Sequence, residues 1–132
     1  MSRTEPFVIH EQDCAFEGGD EPAPGRVRWR TLLSADRTPS DSLTLGVAEL
    51  DPGEARDFRP HRHAQPEAYY ILSGQGIVHL SGAEHPVRPG TTIFIPGNTA
   101  HGARNTGCEV LRLLYVFPAD SFDQIRYEFP EP

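Results

Sequence analysis

The chain has 132 residues, the size of a single small domain, and its 12 Lys and Arg against 19 Asp and Glu give a formal net charge of −7. This acidic balance argues against a nucleic-acid partner, and no basic amphipathic stretch or long apolar run suits a membrane. Residues 1–10 do not resemble a signal peptide. Cys14 and Cys108 stand far apart without a CxxC motif, so we expect a reduced, cytoplasmic protein.

Glycine and proline divide the chain into short segments. Together they account for 25 residues, and they cluster in turn-forming runs at 51–53, 74–76, 88–90 and 96–97. The segments between these runs are rich in β-branched and aromatic residues, which is typical of strands. The pattern predicts an all-β domain, either an antiparallel sandwich or a barrel.

In chain order, residues 1–25 are polar and are expected to form a loosely ordered N-terminal arm, followed by one folded domain over residues 26–132. Apolar alternation places Trp29 on the inner face of the first strand. A weak helical pattern is visible at 119–125. Strands are predicted at 27–33, 43–47, 58–63, 67–72, 77–80, 91–95 and 110–117.

Four potential metal ligands lie in the central part of the chain. His61 and His63 are two residues apart, so on a strand their rings project from one face. Glu67 follows at the start of the next strand, and His101 comes after the turn at 96–97. Three imidazoles and one carboxylate are a suitable ligand set for a first-row divalent metal. We therefore predict one bound divalent transition metal, with its identity open among Fe, Mn, Ni, Zn and Co.

The glycines and prolines around these residues give a more specific pattern. It resembles the two sequence motifs of the cupin superfamily, which implies a double-stranded β-helix, the cupin jelly-roll barrel, with one metal bound at the four positions. This chain departs from the usual motifs in its seven residues between Gly53 and His61, where five are usual, and in having Asn98 in place of a glycine. Asparagine tolerates positive φ, so the turn can survive that replacement. The pattern reads Gly53-x7-His61-x-His63-x3-Glu67-x6-Gly74 and Gly90-x5-Pro96-x4-His101-x3-Asn105.

Segments 26–29, 43–49 and 115–120 resemble a narrower group, the small cupin lyases that cleave dimethylsulfoniopropionate. The resemblance implies that the metal holds the substrate carboxylate while a base removes the α-proton, releasing dimethyl sulfide and leaving acrylate. It gives the role of base to Tyr69, which shares a strand face with Glu67, and a further catalytic role to Tyr127. The family resemblance, together with exposed strand edges that a partner would cover, also implies a homodimer.

Other interpretations of these residues remain open. Tyr69 is equally well explained as a packing aromatic whose hydroxyl finds a partner, and Tyr127 lies in a charged tail where an ordinary surface role is the simpler explanation. Three further histidines are interpreted as paired or solvated residues rather than ligands: His79 in a strand, and His10 and His85 in loops.

Three functions therefore compete. They are a metal-dependent lyase acting on a small carboxylate, an Fe(II)-dependent dioxygenase, and a non-catalytic cupin that binds a small ligand. Arg28 and Arg30 either reach an anionic substrate or face solvent, and Cys108 is expected to be buried in a strand. A tyrosine within reach of the metal favours the lyase, whereas a pocket without an acid or base beyond the ligands favours the dioxygenase.

Overall fold

The computed structural model describes residues 4–19, 21, 23–53 and 58–130. Within these ranges almost all regular structure is β, as the sequence predicts, and two single-turn 3-10 helices lie at Glu11–Asp13 and Phe122–Gln124. The strands are β1 Glu17–Gly18, β2 Val27–Leu33, β3 Thr44–Leu50, β4 Glu67–Ser73, β5 Gly76–Leu80, β6 Ala83–Val87, β7 Thr92–Ile95, β8 His101–Arg104 and β9 Leu111–Phe117.

The strands form two antiparallel sheets that enclose one core. The larger sheet has the order β1-β2-β3-β9-β4-β7 and the smaller has the order β6-β5-β8. Along β9, every second residue points inward and is buried, and the residues between them point outward. Ile71, Ile95 and Leu111 of the larger sheet and Val78 of the smaller sheet are fully buried in the same cluster. The result is the jelly-roll barrel that the cupin resemblance implies.

The structure differs from the predicted elements at several places. Residues 58–63 do not form a continuous strand: only His61 and Arg62 make isolated bridges, because Pro60 has no N–H to donate to a ladder. The weak helical pattern at 119–125 becomes the 3-10 turn at Phe122–Gln124. Three strands lacked a sequence signal: β1 has only two residues, β6 contains a proline, which an edge strand tolerates, and β8 lacks β-branched residues.

The described part of the N-terminal arm contacts the barrel. Its strand β1 pairs with β2, opposite Arg28 and Trp29. The Phe16 ring lies between the guanidinium groups of Arg28 and Arg30, each 4.0 Å from the ring centroid. Both arginines alternate with the inward Trp29 and therefore lie on the outer face, so they do not reach into the barrel.

Residues 1–3, 20, 22, 54–57, 131 and 132 lie outside the described residues, and the division into an arm at 1–25 and a domain at 26–132 stays a prediction. In the described part of the chain, no helix has the length and apolar character needed to cross a membrane.

Candidate metal centre

One isolated backbone bridge brings the histidines together. His61 and His101 exchange two hydrogen bonds, with N···O distances of 2.9 and 2.8 Å, which join the segment before β4 to the start of β8. His63 lies two residues along the same segment. One ligand nitrogen from each of His61, His63 and His101 lies within 4.8 Å of those of the other two. The period-two pair and the distant histidine therefore meet at one point, as the spacing predicts.

The turn after Pro96 fixes the position of this segment. Asn98 adopts φ 61°, which confirms that it takes the left-handed conformation usual for glycine, and its N–H donates to the His63 carbonyl at 2.7 Å. Gly97 approaches so closely that a Cβ there would collide with the Ala64 carbonyl oxygen. The turn is thus packed against the segment that contains His61 and His63.

Backbone carbonyls set the orientation of two imidazole rings. Nδ1 of His63 lies 2.8 Å from the Gln65 carbonyl oxygen, and Nδ1 of His101 lies 2.8 Å from that of Thr99. A carbonyl can only accept a hydrogen bond, so each Nδ1 donates and each Nε2 faces the interior of the site. This is the arrangement that holds a metal-binding histidine in one tautomer.

Glu67 completes the group from β4. One of its carboxylate oxygens, Oε1, is 3.1 Å from Nε2 of His63 and 3.1 Å from Nε2 of His101. Glu67, His63 and His101 are all buried. The structure therefore brings together all four residues that the sequence singled out, with His61 partly buried at the outer side.

Burial and charge interactions shift the pKa values of these groups in different directions. Burial acts to raise the pKa of the Glu67 carboxyl, but hydrogen bonds from His101 and His63 outweigh it and lower that pKa. Burial acts to lower the pKa of His63, and its hydrogen bond to Glu67 raises it overall. Burial, with a contribution from His101, lowers the pKa of His61 to about 4. At pH 7 Glu67 is a carboxylate and His61 is neutral.

The donor set fits a divalent first-row transition metal. Three imidazole nitrogens and a carboxylate oxygen converge, and the protons on two of the rings are held away from the centre by backbone carbonyls. When the His63 and His101 rings are neutral, their Nε2 lone pairs face the Glu67 carboxylate, so a positive charge among these atoms relieves the repulsion. His61, His63, Glu67 and His101 could therefore hold such a metal.

A cavity of about 570 Å³ opens beside this group, a volume within the range of small-molecule sites. His61 and Glu67 line it at one end. The alternating apolar residues of β9 allow part of this lining to be predicted from the sequence. No such pattern predicts that Phe58 and Phe122 line the cavity. The remaining wall is largely apolar and aromatic: Trp29, Leu50, Leu113, Tyr115, Phe117 and Phe122.

Both predicted tyrosines line the same cavity. Glu67 and Tyr69 lie on one face of β4, as predicted, and both are buried. Tyr127 is 41% exposed, yet its ring centroid lies 5.2 Å from that of His61 and 5.5 Å from that of His63, so it packs against the histidine group. Burial raises the pKa of Tyr69 well above 10 and that of Tyr127 to about 12, so both hydroxyls are protonated at neutral pH in the protein alone.

The other singled-out residues lie elsewhere. His79 accepts a hydrogen bond from Nε of Arg104 at 2.9 Å, which agrees with a paired strand residue. The exposed His10 accepts from the Gln12 N–H. His85 is exposed as expected but belongs to β6 rather than to a loop. Cys108 is an exposed residue of the bend between β8 and β9, so its predicted burial in a strand is wrong.

Comparison with known proteins agrees with the fold. The family model for the cupin domain matches residues 46–117, more than half of the chain. Dimethylsulfoniopropionate lyase DddW of Ruegeria pomeroyi is 41% identical over 124 residues, which cover 94% of this chain and 80% of that protein.

Solved structures show the same architecture. The polyketide cyclase RemF from Streptomyces resistomycificus superposes with a TM-score of 0.76 at 26% identity, covering 96% of this chain and 88% of that one. A structure of the dimethylsulfoniopropionate lyases RdDddP and RnDddQII gives a TM-score of 0.65 at 22% identity, with 96% and 61% covered, and shares the fold. From its sequence motifs, its barrel and these matches, the chain belongs to the cupin family.

Proposed function

We propose that this protein is a metal-dependent lyase that cleaves dimethylsulfoniopropionate into dimethyl sulfide and acrylate. The observation that carries the proposal is a largely buried group of three histidines and one glutamate beside a small-molecule cavity, with Tyr69 on the same strand face as Glu67. The 41% identity to DddW over most of the chain supports the same reaction and substrate.

His61, His63, Glu67 and His101 are the proposed metal ligands. A bound divalent cation supplies a Lewis acid that attracts the substrate carboxylate, makes the α-proton more acidic and favours the phenolate form of a nearby tyrosine. The backbone carbonyls of Gln65 and Thr99 keep the two buried rings in the orientation that this role requires. The ligand set is suitable for Fe, Mn, Ni, Zn or Co.

Tyr69 is the proposed base, acting as a phenolate whose hydroxyl proton has first been lost to solvent. The phenolate oxygen accepts the α-proton while the bond between the β-carbon and sulfur breaks. The electron pair of the C–H bond forms the double bond of acrylate, and the C–S pair leaves with the neutral dimethyl sulfide. Tyr127 lines the same cavity and lies against His61 and His63, where it is placed to contact the substrate or to exchange the proton with solvent.

The test is a headspace assay for dimethyl sulfide on the metal-loaded protein, with metal content measured in parallel. Tyr69→Phe keeps the ring and removes the hydroxyl, so turnover is expected to fall about 100-fold or more at unchanged metal content. Tyr70→Phe is the matched control, because Tyr70 is 45% exposed on the opposite face of β4 and is expected to keep wild-type turnover.

The outcomes separate the assignments. Turnover retained in Tyr69→Phe but lost in Tyr127→Phe would transfer the proton step to Tyr127. A metal-loaded wild-type protein that releases no dimethyl sulfide would contradict the lyase proposal and leave dioxygenase or ligand-binding roles to be assayed.

We further propose a homodimer and a cytoplasmic location. Exposed apolar residues on the outer face of the larger sheet support the dimer: they are Tyr70 and Leu72 of β4 and Phe94 of the edge strand β7, which is 68% exposed. Sedimentation analysis of the wild type and of Phe94→Asp tests it, since the charge is expected to favour the monomer. The free thiols of Cys14 and Cys108 are compatible with a reducing compartment, which cell fractionation would test.

A further inference from the structure

The end of the described chain pairs with the segment that contains His61 and His63, and its Tyr127 lines the cavity. Arg62 and Glu128, 66 residues apart, form an isolated antiparallel bridge: the Arg62 N–H donates to the Glu128 carbonyl at 2.8 Å, and the Glu128 N–H donates to the Arg62 carbonyl at 2.9 Å. Arg62 lies between His61 and His63. Residues 127–129, here called the strap, are therefore attached to the same segment that carries two of the proposed ligands.

Side chains on both faces of the strap add contacts to this backbone bridge. Alternation puts the side chains of Tyr127 and Phe129 on its inner face, and both rings pack against His61, with centroids 5.2 and 6.2 Å away. On the outer face, Nε of Arg62 is 3.1 Å from Oε2 of Glu128. Arg59 adds a hydrogen bond of 3.3 Å to the Phe129 carbonyl, and its guanidinium lies 5.0 Å from the Phe129 ring.

The backbone bonds contribute more to this attachment than the ion pair does. The Arg62 and Glu128 side chains are 44% and 55% exposed, and such surface pairs contribute little because solvent screens them. The two backbone hydrogen bonds fix both the register and the direction of the strap. A shift of one residue would turn Tyr127 away from the histidines and out of the cavity lining.

We propose that Glu128 is a positioning residue, whose backbone pairing with Arg62 holds Tyr127 over the histidine group and closes one side of the cavity mouth. The effect on turnover rests on the proposed lyase function. The effect on access to the histidine group does not, because it depends only on where the strap lies.

The first experiment changes the pairing in steps. Glu128→Ala removes the exposed ion pair and keeps the N–H, so kcat/KM for dimethyl sulfide release is expected to fall about twofold to threefold. Glu128→Pro also removes the N–H that bonds Arg62, and a fall of about tenfold or more is expected. Should the proline variant fail to fold, Glu128→Lys places a second cation opposite Arg62 and is expected to act in the same direction, with recovery in the Arg62→Glu, Glu128→Lys pair.

A double-mutant cycle separates positioning from a general structural effect. If Glu128 acts through Tyr127, the Glu128→Pro change has no further effect on kcat/KM once Tyr127 is alanine. Additive losses in the double variant would overturn the proposal.

A second experiment needs no turnover. Zn²⁺ is loaded as a probe, and its release to an excess of chelator is timed alongside hydrogen exchange of the Arg62 amide. Glu128→Pro is expected to speed both about tenfold, since the Arg62 N–H loses a well-placed acceptor and the mouth opens. Unchanged rates would overturn the proposal, whether or not the protein proves to be a lyase, and accelerated rates in a protein without lyase activity would leave the strap assigned and the reaction wrong.

Discussion

Removal of His101 is the sharpest test of the metal centre. His101 is 1% exposed and has two fixed contacts, Nδ1 to the Thr99 carbonyl and Nε2 to Glu67. The backbone of His101 also exchanges two hydrogen bonds with the backbone of His61, which connects β8 to the His61 segment. These backbone bonds do not depend on the side chain at position 101. His101→Ala therefore removes one proposed ligand and leaves the bridge that positions the others.

The expected loss of metal affinity follows from the number of ligands. Apparent binding free energies of four-ligand zinc sites are about 10–16 kcal/mol, so one ligand of four accounts for about 3 kcal/mol. At about 1.4 kcal/mol for each factor of ten, the affinity is expected to fall about 100-fold. The metal-free protein should lose about 1–3 kcal/mol of stability, because a buried ring is deleted and the Thr99 carbonyl loses its donor.

Competition for Zn²⁺ against a chromophoric chelator measures the affinity, and thermal unfolding of the metal-free protein measures the stability. His85→Ala is the control, because His85 is exposed on β6 and is expected to leave both quantities unchanged. A folded His101→Ala variant that binds one equivalent of Zn²⁺ within threefold of the wild-type affinity would refute the role of His101.

Three further predictions follow from single positions. Asn98→Val should destabilise the protein by about 1–3 kcal/mol in denaturant unfolding, because a β-branched residue resists φ 61°, whereas Asn98→Gly should be neutral or stabilising. The Arg37 hydrogen bond lowers the pKa of Glu17 below 4.5, so this pair stabilises the fold above that pH and the gain is lost as the pH falls below it. Unfolding of Glu17→Gln should thus show a deficit of about 1 kcal/mol at pH 7 that closes in acid. Cys108 should react with a maleimide in the folded protein without release of bound Zn²⁺.

Local sequence patterns predicted most of the barrel because its long strands alternate clearly. The buried positions of β4 and β9 recur every two residues, and the turns between strands carry glycine and proline. The three strands that were not predicted, β1, β6 and β8, lack this signal. In β8 the backbone pairs with β5 and, through His101, with His61, so its strand character comes from neighbours rather than from its own residue types.

A long-range contact explains why the sequence left the position of Tyr127 open. Nothing within the charged tail indicates that residue 128 pairs with residue 62, and this pairing brings Tyr127 to the cavity lining. The prediction for Cys108 failed for a local reason: Cys108 lies close to β9 in sequence, but the strand begins at Leu111 and leaves the cysteine exposed in the bend. The position of Cys108 therefore depends on where a strand begins, whereas that of Tyr127 depends on a contact between residues 66 positions apart.

Spacing alone identifies four residues that can meet, whereas the hydrogen bonds around them say what they are prepared to bind. The carbonyls of Gln65 and Thr99 take the Nδ1 protons, which leaves Nε2 of His63 and of His101 directed at the same carboxylate oxygen at 3.1 Å. When the rings are neutral, each Nε2 is a hydrogen-bond acceptor that faces another acceptor, the carboxylate oxygen. Such a contact is unfavourable in a buried site unless a positive charge lies among these atoms. A proton on an imidazole meets that need in part, and a divalent cation meets it for every ligand atom at once. The same cation would face the cavity that Tyr69 and Tyr127 line, which is why we propose one site for both metal and substrate.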